Sequence, residues 1–483
     1  MAKMHITTLG CPKNQVDSDH LAGRFLSEGF VPVRDAGDAD IILVNTCGFI
    51  RDAKEESIGE ILRLAALKEG REKKLLVFGC LAKRYKDELL KEIPEIDALW
   101  GVAEEDKIIE YCRKLAKRRR SELEKLKEER PFTHSPIHQL PDPPDRLPSS
   151  YAYLKIAEGC DKKCTFCVIP SLRGRFRSVP PATILKEAEE HILSGVRELI
   201  LVAQDITNYG KDLDSYNLVS LLRDLTALKG DFFIRLLYLY PTAITDELIE
   251  CIATEDKIQK YIDIPLQHSE DRILWLMGRR GTRKEYTKLI RTIRRRIPEM
   301  ALRTTFIVGF PSETEEDFHG LVDFIEEMRF DRLGVFAFSK EEGTPSAQLK
   351  GQVPEKVKQR RLDDIMQRQA LISLEKNREL IGKKFTAIID EIDDEVALAR
   401  LYSHAPEIDG MVIIEKSEAR KQKPENRNQK SDKEENLSSV KVGDVVTVEI
   451  IDAYDYDVKG RIVDEGSSQS KHFNKKLRVV NRK

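Results

Sequence analysis

Three cysteines define the sharpest chemistry in this sequence. Cys160, Cys164 and Cys167 stand in the run Cys-Asp-Lys-Lys-Cys-Thr-Phe-Cys, a Cys-x3-Cys-x2-Cys spacing. Thiolates this close along the chain can face one metal site, and soft sulfur ligands select iron–sulfur clusters, zinc or copper(I). A structural zinc closes its shell at four ligands, yet the next cysteine is far off, at position 251. Three thiolates on a 4Fe–4S cube would leave one iron open to a small molecule. On spacing alone, a zinc-binding structural protein stays open beside the iron–sulfur reading.

Cys11, Cys47 and Cys80 share another pattern: each closes an apolar run, in LGC, NTC and FGC. The carboxyl ends of strands in an open parallel sheet share one edge, where ligands bind. These three cysteines are therefore expected to converge. Cys112 and Cys251 follow neither pattern and read as core residues.

Two α/β units must position these groups. Residues 1–130 alternate apolar runs with helical stretches, expected at 18–28, 55–69 and 83–92, which predicts a parallel α/β sheet. A charged stretch closes this unit, and a proline-rich linker is expected at 131–148. Residues 149–381 repeat the alternation with strands expected at 152–157, 198–204, 232–240, 261–265, 302–308 and 333–338. Six such units make a partial, open (β/α)6 barrel, since a closed one has eight. Candidate cofactor contacts are Gln204 and Asp205 after the second strand, Arg235 in the third, Gln267 and His268 after the fourth, and Gly309, Phe310 and Pro311 after the fifth. Plain strand-end or helix-capping roles are the alternative for each. Residues 382–475 turn to short β-rich runs that predict a small antiparallel β-barrel. A polar, aperiodic loop at 416–438 is expected to be disordered.

Composition narrows the class. The chain has 483 residues, with 81 Lys and Arg against 83 Asp and Glu and a formal charge of −2. That balance shows no overall bias toward nucleic acid or membrane. No apolar run reaches 18 residues, so no membrane-spanning helix is expected. The first residues run straight into a strand-like pattern, so no secretory signal is expected. Eight cysteines are far too few for a disulfide scaffold. A cytoplasmic location with reduced cysteines is the expectation.

The spacing at Cys160, Cys164 and Cys167 resembles the signature of radical S-adenosylmethionine enzymes. A second triad before it and a small β-barrel after it, of the kind called TRAM, resemble the methylthiotransferases of that group over nearly the whole chain. Within the family, LGCPKNQVDSD, CTFCVIPSLRGRFRS, DIPLQHS, FIVGFPSET, FDRLGVFAFSKEEGTP and APEIDG resemble the branch acting on ribosomal protein S12 (uS12). That branch methylthiolates the β-carbon of an aspartate. The sister branch modifies an isopentenyl-adenosine in tRNA.

The resemblance implies two 4Fe–4S clusters and S-adenosylmethionine as cofactors. Cys160, Cys164 and Cys167 would hold the cluster that binds S-adenosylmethionine. Cys11, Cys47 and Cys80 would hold an auxiliary cluster carrying the sulfur to be transferred. One S-adenosylmethionine would give a methyl group and a second would give the 5′-deoxyadenosyl radical. The implied partners are uS12, free or in the small subunit, and an external one-electron donor of flavodoxin or ferredoxin type. The sequence departs from the branch in SVPP after Arg177, in the enlarged barrel loop, and at His404 before Ala405-Pro406-Glu407.

Charge separates protein from RNA as the substrate. Residues 383–415 with 439–470 carry 15 acidic and 6 basic side chains, a formal −9. An RNA surface needs cations to neutralise phosphates, whereas an acidic barrel attracts a basic ribosomal protein. The loop at 416–438 and the tail KHFNKKLRVVNRK are basic and leave a secondary RNA contact open. RGRFR at 173–177 and RTIRRR at 291–296 could meet phosphates, although solvated helix faces are the commoner meaning. A tRNA methylthiotransferase, and a non-catalytic iron–sulfur or RNA-binding scaffold, are the competing functions.

Overall fold

A computed structural model of the chain describes residues 2–68, 72–128, 149–393, 395–415 and 440–463, the side chains of 118–128 excepted. The expected linker at 131–148, the loop at 416–438 and the tail at 471–483 lie outside the described residues.

The first sheet is wholly parallel. Its central strands, Lys3–Thr8, Ile41–Thr46 and Lys74–Gly79, lie side by side and are flanked by the short edges Val31–Pro32 and Ala98–Leu99. Ile41–Thr46 is buried along its whole length, as a central parallel strand covered on both faces must be. The helix expected at 18–28 begins earlier and spans Pro12–Ser27. Pro12 sits where a missing N–H costs nothing and φ is already helical. The one expected at 83–92 is broken at Tyr85 into Cys80–Arg84 and Lys86–Glu92.

The second sheet contains all six expected strands: Tyr151–Lys155, Glu198–Val202, Phe233–Leu236, Ile258–Asp263, Ala301–Val308 and Arg332–Ala337. All run parallel in sequential order, and the outer two do not pair. Every second residue packs outward against the helices in one large apolar core. Tyr153, Ile200, Val202, Leu237 and Tyr261 line the inner face. Val16 from the first helix and Ala405 from the C-terminal barrel join that inner cluster. Both flanking units thus reach into the open barrel. Cys112 and Cys251 are buried in the apolar cores, as expected.

The C-terminal strands Lys384–Ile392, Val396–Arg400, Val412–Glu415, Val458–Ile462 and Val445–Ala453 close into a barrel in that order. Its pairings are antiparallel except one, since Val412–Glu415 and Val458–Ile462 run parallel. Five strands in a closed ring cannot alternate direction throughout, so one like-directed pair is required.

A buried ion network seats this barrel on the central sheet. Glu198, fully buried, accepts from Arg235 Nε at 2.9 Å and Nη2 at 2.8 Å, and also from Arg400. Arg400 also pairs with Asp390, which accepts from Ser150. Arg235 Nη1 donates to the Tyr402 carbonyl at 2.7 Å, and its guanidinium lies over Tyr261 at 4.6 Å. Among the described residues no helix is long and apolar enough to cross a membrane.

Candidate active site between two cysteine triads

The adjacent strands Lys3–Thr8, Ile41–Thr46 and Lys74–Gly79 deliver Cys11, Cys47 and Cys80 to one carboxyl edge. Thr8 is level with Asn45, and Thr46 with Gly79, so Cys47 and Cys80 leave their strands at one height. Cys11 caps the first helix. Gly10 adopts φ +95°, and a Cβ there would stand 2.6 Å from that of Cys47, so only glycine brings the first loop this close. Burial raises the Cys47 thiol and pushes Cys80 up to about 12. Such dry thiols stay protonated unless a metal takes the proton's place.

The second triad lies in the loop after Ala157–Glu158. Backbone N–H groups of Lys162 and Ile169 approach the sulfurs of Cys160 and Cys167, both at 3.5 Å. The loop is held to the barrel by Thr165 N on the Met277 carbonyl at 2.9 Å and Thr165 Oγ1 on the Leu276 carbonyl at 2.8 Å. Burial pushes the Cys167 thiol up to about 12. Arg279, stacked over Tyr240 at 4.4 Å, sets its positive charge beside Cys164.

The triads are neighbours. Cys80 packs on Val168 and Leu172, just past Cys167. Arg173 closes the seam: it donates to Asn14 Oδ1 at 2.6 Å, Asp17 at 3.1 Å and Glu158 at 2.9 Å, and its positive charge faces the Cys80 thiol. Lys155 pairs with the same two carboxylates. Burial opposes ionisation of Glu158, but Lys155 and Arg173 hold its carboxyl at about 2. A cleft of about 520 Å³ lined by Glu158, Arg173, Arg175, Phe176 and Arg177 opens beside them.

Among the described residues no three His, Cys, Asp or Glu side chains gather tightly enough for a single metal ion. A four-iron cube is the wider group, and the donor chemistry fits it: two trios of free cysteines, with no further cysteine beside either in sequence. A polar ligand at the barrel mouth also has groups to meet. Gln204 Oε1 and Arg279 Nε are buried without hydrogen-bond partners, whereas His268 turns its Nε2 to the buried Glu313 carboxylate at 3.7 Å. Tyr238 and Gln267 hold left-handed backbones there, at φ +63° and +74°, and such strain clusters at working sites.

The candidate contacts from sequence fare unequally. Gln204 sits at the mouth, with its amide nitrogen 3.3 Å from Glu158. Gln267 stands there too, its backbone bridged to Thr305 and Ile307 at 2.8 Å each. Asp205 caps the short turn at Ile206–Asn208 and pairs with Lys162 at 3.3 Å, so it steadies the cysteine loop. Gly309, at φ +72°, is packed against the Lys358 stem. Arg235 directs its guanidinium to Glu198 and the Tyr402 carbonyl, in the seam with the C-terminal barrel. In RGRFR, the Arg173 side chain is 1% exposed and ion-paired rather than offered to phosphate. Arg291 and Arg296 pair with Glu327 and Asp246 on neighbouring helices. Sequence reasoning missed Lys13, Glu158, Tyr238 and Arg279; only Lys13 and Glu158, each two residues from a cysteine, carried a local signal.

The three units agree with what is found in known proteins. Residues 154–325 match the Radical SAM superfamily, residues 381–463 the TRAM domain, and residues 3–101 the uncharacterized protein family UPF0004. Together these define the class: a radical S-adenosylmethionine core between an N-terminal α/β unit and a TRAM barrel. The chain is 56% identical over 463 residues to the ribosomal protein uS12 methylthiotransferase RimO of Thermodesulfovibrio yellowstonii, covering 96% of this chain and all of that protein. The RimO protein of Geotalea uraniireducens is 45% identical over 469 residues, 95% of this chain and 98% of its own. The chain belongs to the ribosomal protein uS12 methylthiotransferase family. A solved radical S-adenosylmethionine methyltransferase, TsrM from Kitasatospora setae, with cobalamin and a [4Fe-4S] cluster bound, shares the fold. It is 13% identical, covers 82% of this chain and 81% of its own, and has a TM-score of 0.51.

Proposed function

We propose that this chain methylthiolates the β-carbon of an aspartate in ribosomal protein uS12. S-adenosylmethionine serves both as methyl donor and as radical source. The observation that carries the reading is the seam: two cysteine triads from different sheets meet across Arg173, with Cys80 packed on the residue after Cys167.

Two 4Fe–4S clusters, held by Cys160, Cys164 and Cys167 and by Cys11, Cys47 and Cys80, supply the radical chemistry and the transferable sulfur when bound. The protein's own residues position and exclude. Arg279 and Lys162 set positive charge at the radical triad, where thiolates carry negative charge. Gln204 offers an unpaired amide oxygen to S-adenosylmethionine. Asp205 and Thr165 fix the cysteine loop. Val16 and Ala405 close the inner face of the open barrel and keep water from a reactive carbon radical. An external one-electron donor of flavodoxin or ferredoxin type would reduce the radical cluster. The TRAM barrel carries exposed Ile408, Ile451, Tyr454 and Tyr456 among its acidic groups, a surface suited to a basic protein rather than to phosphates.

The test is made in a strain lacking the gene. Intact masses of small-subunit proteins should show uS12 short of one methylthio group, restored by the wild-type gene and not by Cys80→Ala. If uS12 keeps its mass while a tRNA adenosine loses a methylthio group, the reading is wrong. Release of no 5′-deoxyadenosine from reduced, cluster-loaded protein would point to a non-catalytic scaffold.

A further inference from the structure

Lys13 stands at the point where the two halves of the site meet, and nothing described so far uses it. It lies in the first turn of the helix that Cys11 caps, so its backbone is tied to the sulfur-bearing triad. Its ammonium lies 3.7 Å above the ring of Tyr238, at the mouth of the barrel. The residue is 7% exposed.

A cation taken this far out of water is ordinarily matched by an anion. Among the described residues, no carboxylate stands within ion-pair distance of Lys13, and the nearby ones are committed elsewhere. Asp17 is held by Lys155 and Arg173. Glu158 is held by Lys155, Arg173 and Gln204. Asp263 accepts from Arg303 at 3.1 Å and from Tyr238 N at 3.1 Å. A ring face stabilises an ammonium less than a carboxylate does, so the site keeps a positive charge open toward the mouth.

We propose that Lys13 receives the carboxylate of the target aspartate. The inference rests on the function proposed above and adds how its substrate is chosen. A β-carbon that loses hydrogen at the barrel mouth and gains sulfur from the Cys11 side must sit between Tyr238 and Cys11. Its own carboxylate is one bond away. Lys13 lies between those two residues, within reach of that group and of few others. The charge then does two things. It orients the β-carbon by fixing its neighbour, and it favours aspartate over asparagine or any uncharged side chain.

The test uses cluster-loaded enzyme with S-adenosylmethionine and two substrates, uS12 and uS12 with the target aspartate changed to asparagine. Binding is read by fluorescence anisotropy of labelled uS12, and turnover by mass. Wild type should bind the aspartate form about 10–100-fold more tightly, the range for a hydrogen bond between charged groups. Lys13→Met should bind both forms alike, with the loss falling on the aspartate form. Lys13→Arg, which keeps the charge, should retain much of the preference. Should Lys13→Met fold poorly, Lys13→Gln is read on the same ratio. A preference that survives both neutral variants, or one absent in wild type, overturns the role of Lys13. Failure of wild type to methylthiolate uS12 at all would instead overturn the function.

Discussion

Replacing Glu198 with alanine strands two buried cations. Glu198 is fully buried, and Arg235 and Arg400 converge on it from different sheets. Burial favours the neutral acid, but the two guanidiniums hold its carboxyl below the usual range. Without it, Arg235 keeps the Tyr402 carbonyl and Arg400 keeps Asp390, yet both lose their shared anion. Breaking a buried pair from one side costs about 3–5 kcal/mol. In a chain of several units this loss should not shift one global transition. It should loosen the C-terminal barrel first.

Urea unfolding followed by hydrogen exchange reads this directly. Strands Lys384–Ile392, Val396–Arg400 and Val445–Ala453 should lose protection at lower urea than strands Glu198–Val202 and Phe233–Leu236. Adding Arg235→Met should recover part of the loss, because Arg235 has no other carboxylate among the described residues, whereas Arg400 keeps Asp390. A loss under about 1 kcal/mol, the range of an exposed pair, would refute the reasoning. So would a double variant weaker than the single by the full cost of Arg235.

Other outcomes follow from the same geometry. Cys164→Ala should abolish 5′-deoxyadenosine formation, whereas Cys80→Ala should leave S-adenosylmethionine cleavage but stop sulfur transfer; normal transfer by Cys80→Ala would sink the two-cluster arrangement. Gly10→Ala forces a side chain against Cys47 at φ +95°. It should halve the iron content, from about eight to about four per chain, while S-adenosylmethionine cleavage persists. His404 is held neutral, far below its ordinary value, by burial and then by Arg332, Arg235 and Arg400. An unfolded histidine gains a proton below about pH 6.5, so stability present above that pH should fall on acidification by up to about 1.4 kcal/mol per unit. His404→Gln should flatten that slope, as measured by urea midpoints between pH 7 and 5. Arg235→Met should lower stability and leave S-adenosylmethionine affinity near wild type, in calorimetric titration of loaded enzyme.

Much of the fold was legible because buried parallel strands announce themselves as apolar runs. All six barrel strands and the three that carry Cys11, Cys47 and Cys80 lie where such runs are. The first turn of the helix Pro12–Ser27 was not legible, and the reason is physical. Its polar residues Lys13, Asn14, Asp17 and Ser18 are buried against other units, so the usual apolar stripe is replaced by ion pairs and hydrogen bonds. Arg235 misled in a related way. A strand pattern gives its height in the barrel, but not the carbonyl of Tyr402 that waits for it across the chain. The cysteines were readable because their chemistry needs a fixed spacing. The groups around them serve by three-dimensional proximity alone.

The helix Pro12–Ser27 ends one chamber and begins the other. Cys11 caps it on the sulfur side, and Val16 is packed inside the barrel. Five residues of helix rise about 7.5 Å, and a helix that short does not stretch. The height of Cys11 above the barrel's inner cluster is therefore set by helical rise, with Val16 as its packed foot. The target loop must be threaded into a gap of set width, and one residue inserted between Cys11 and Val16 would turn the barrel-facing side chain by about 100°. In this enzyme the gauge of the reaction is written into a single turn and a half of backbone.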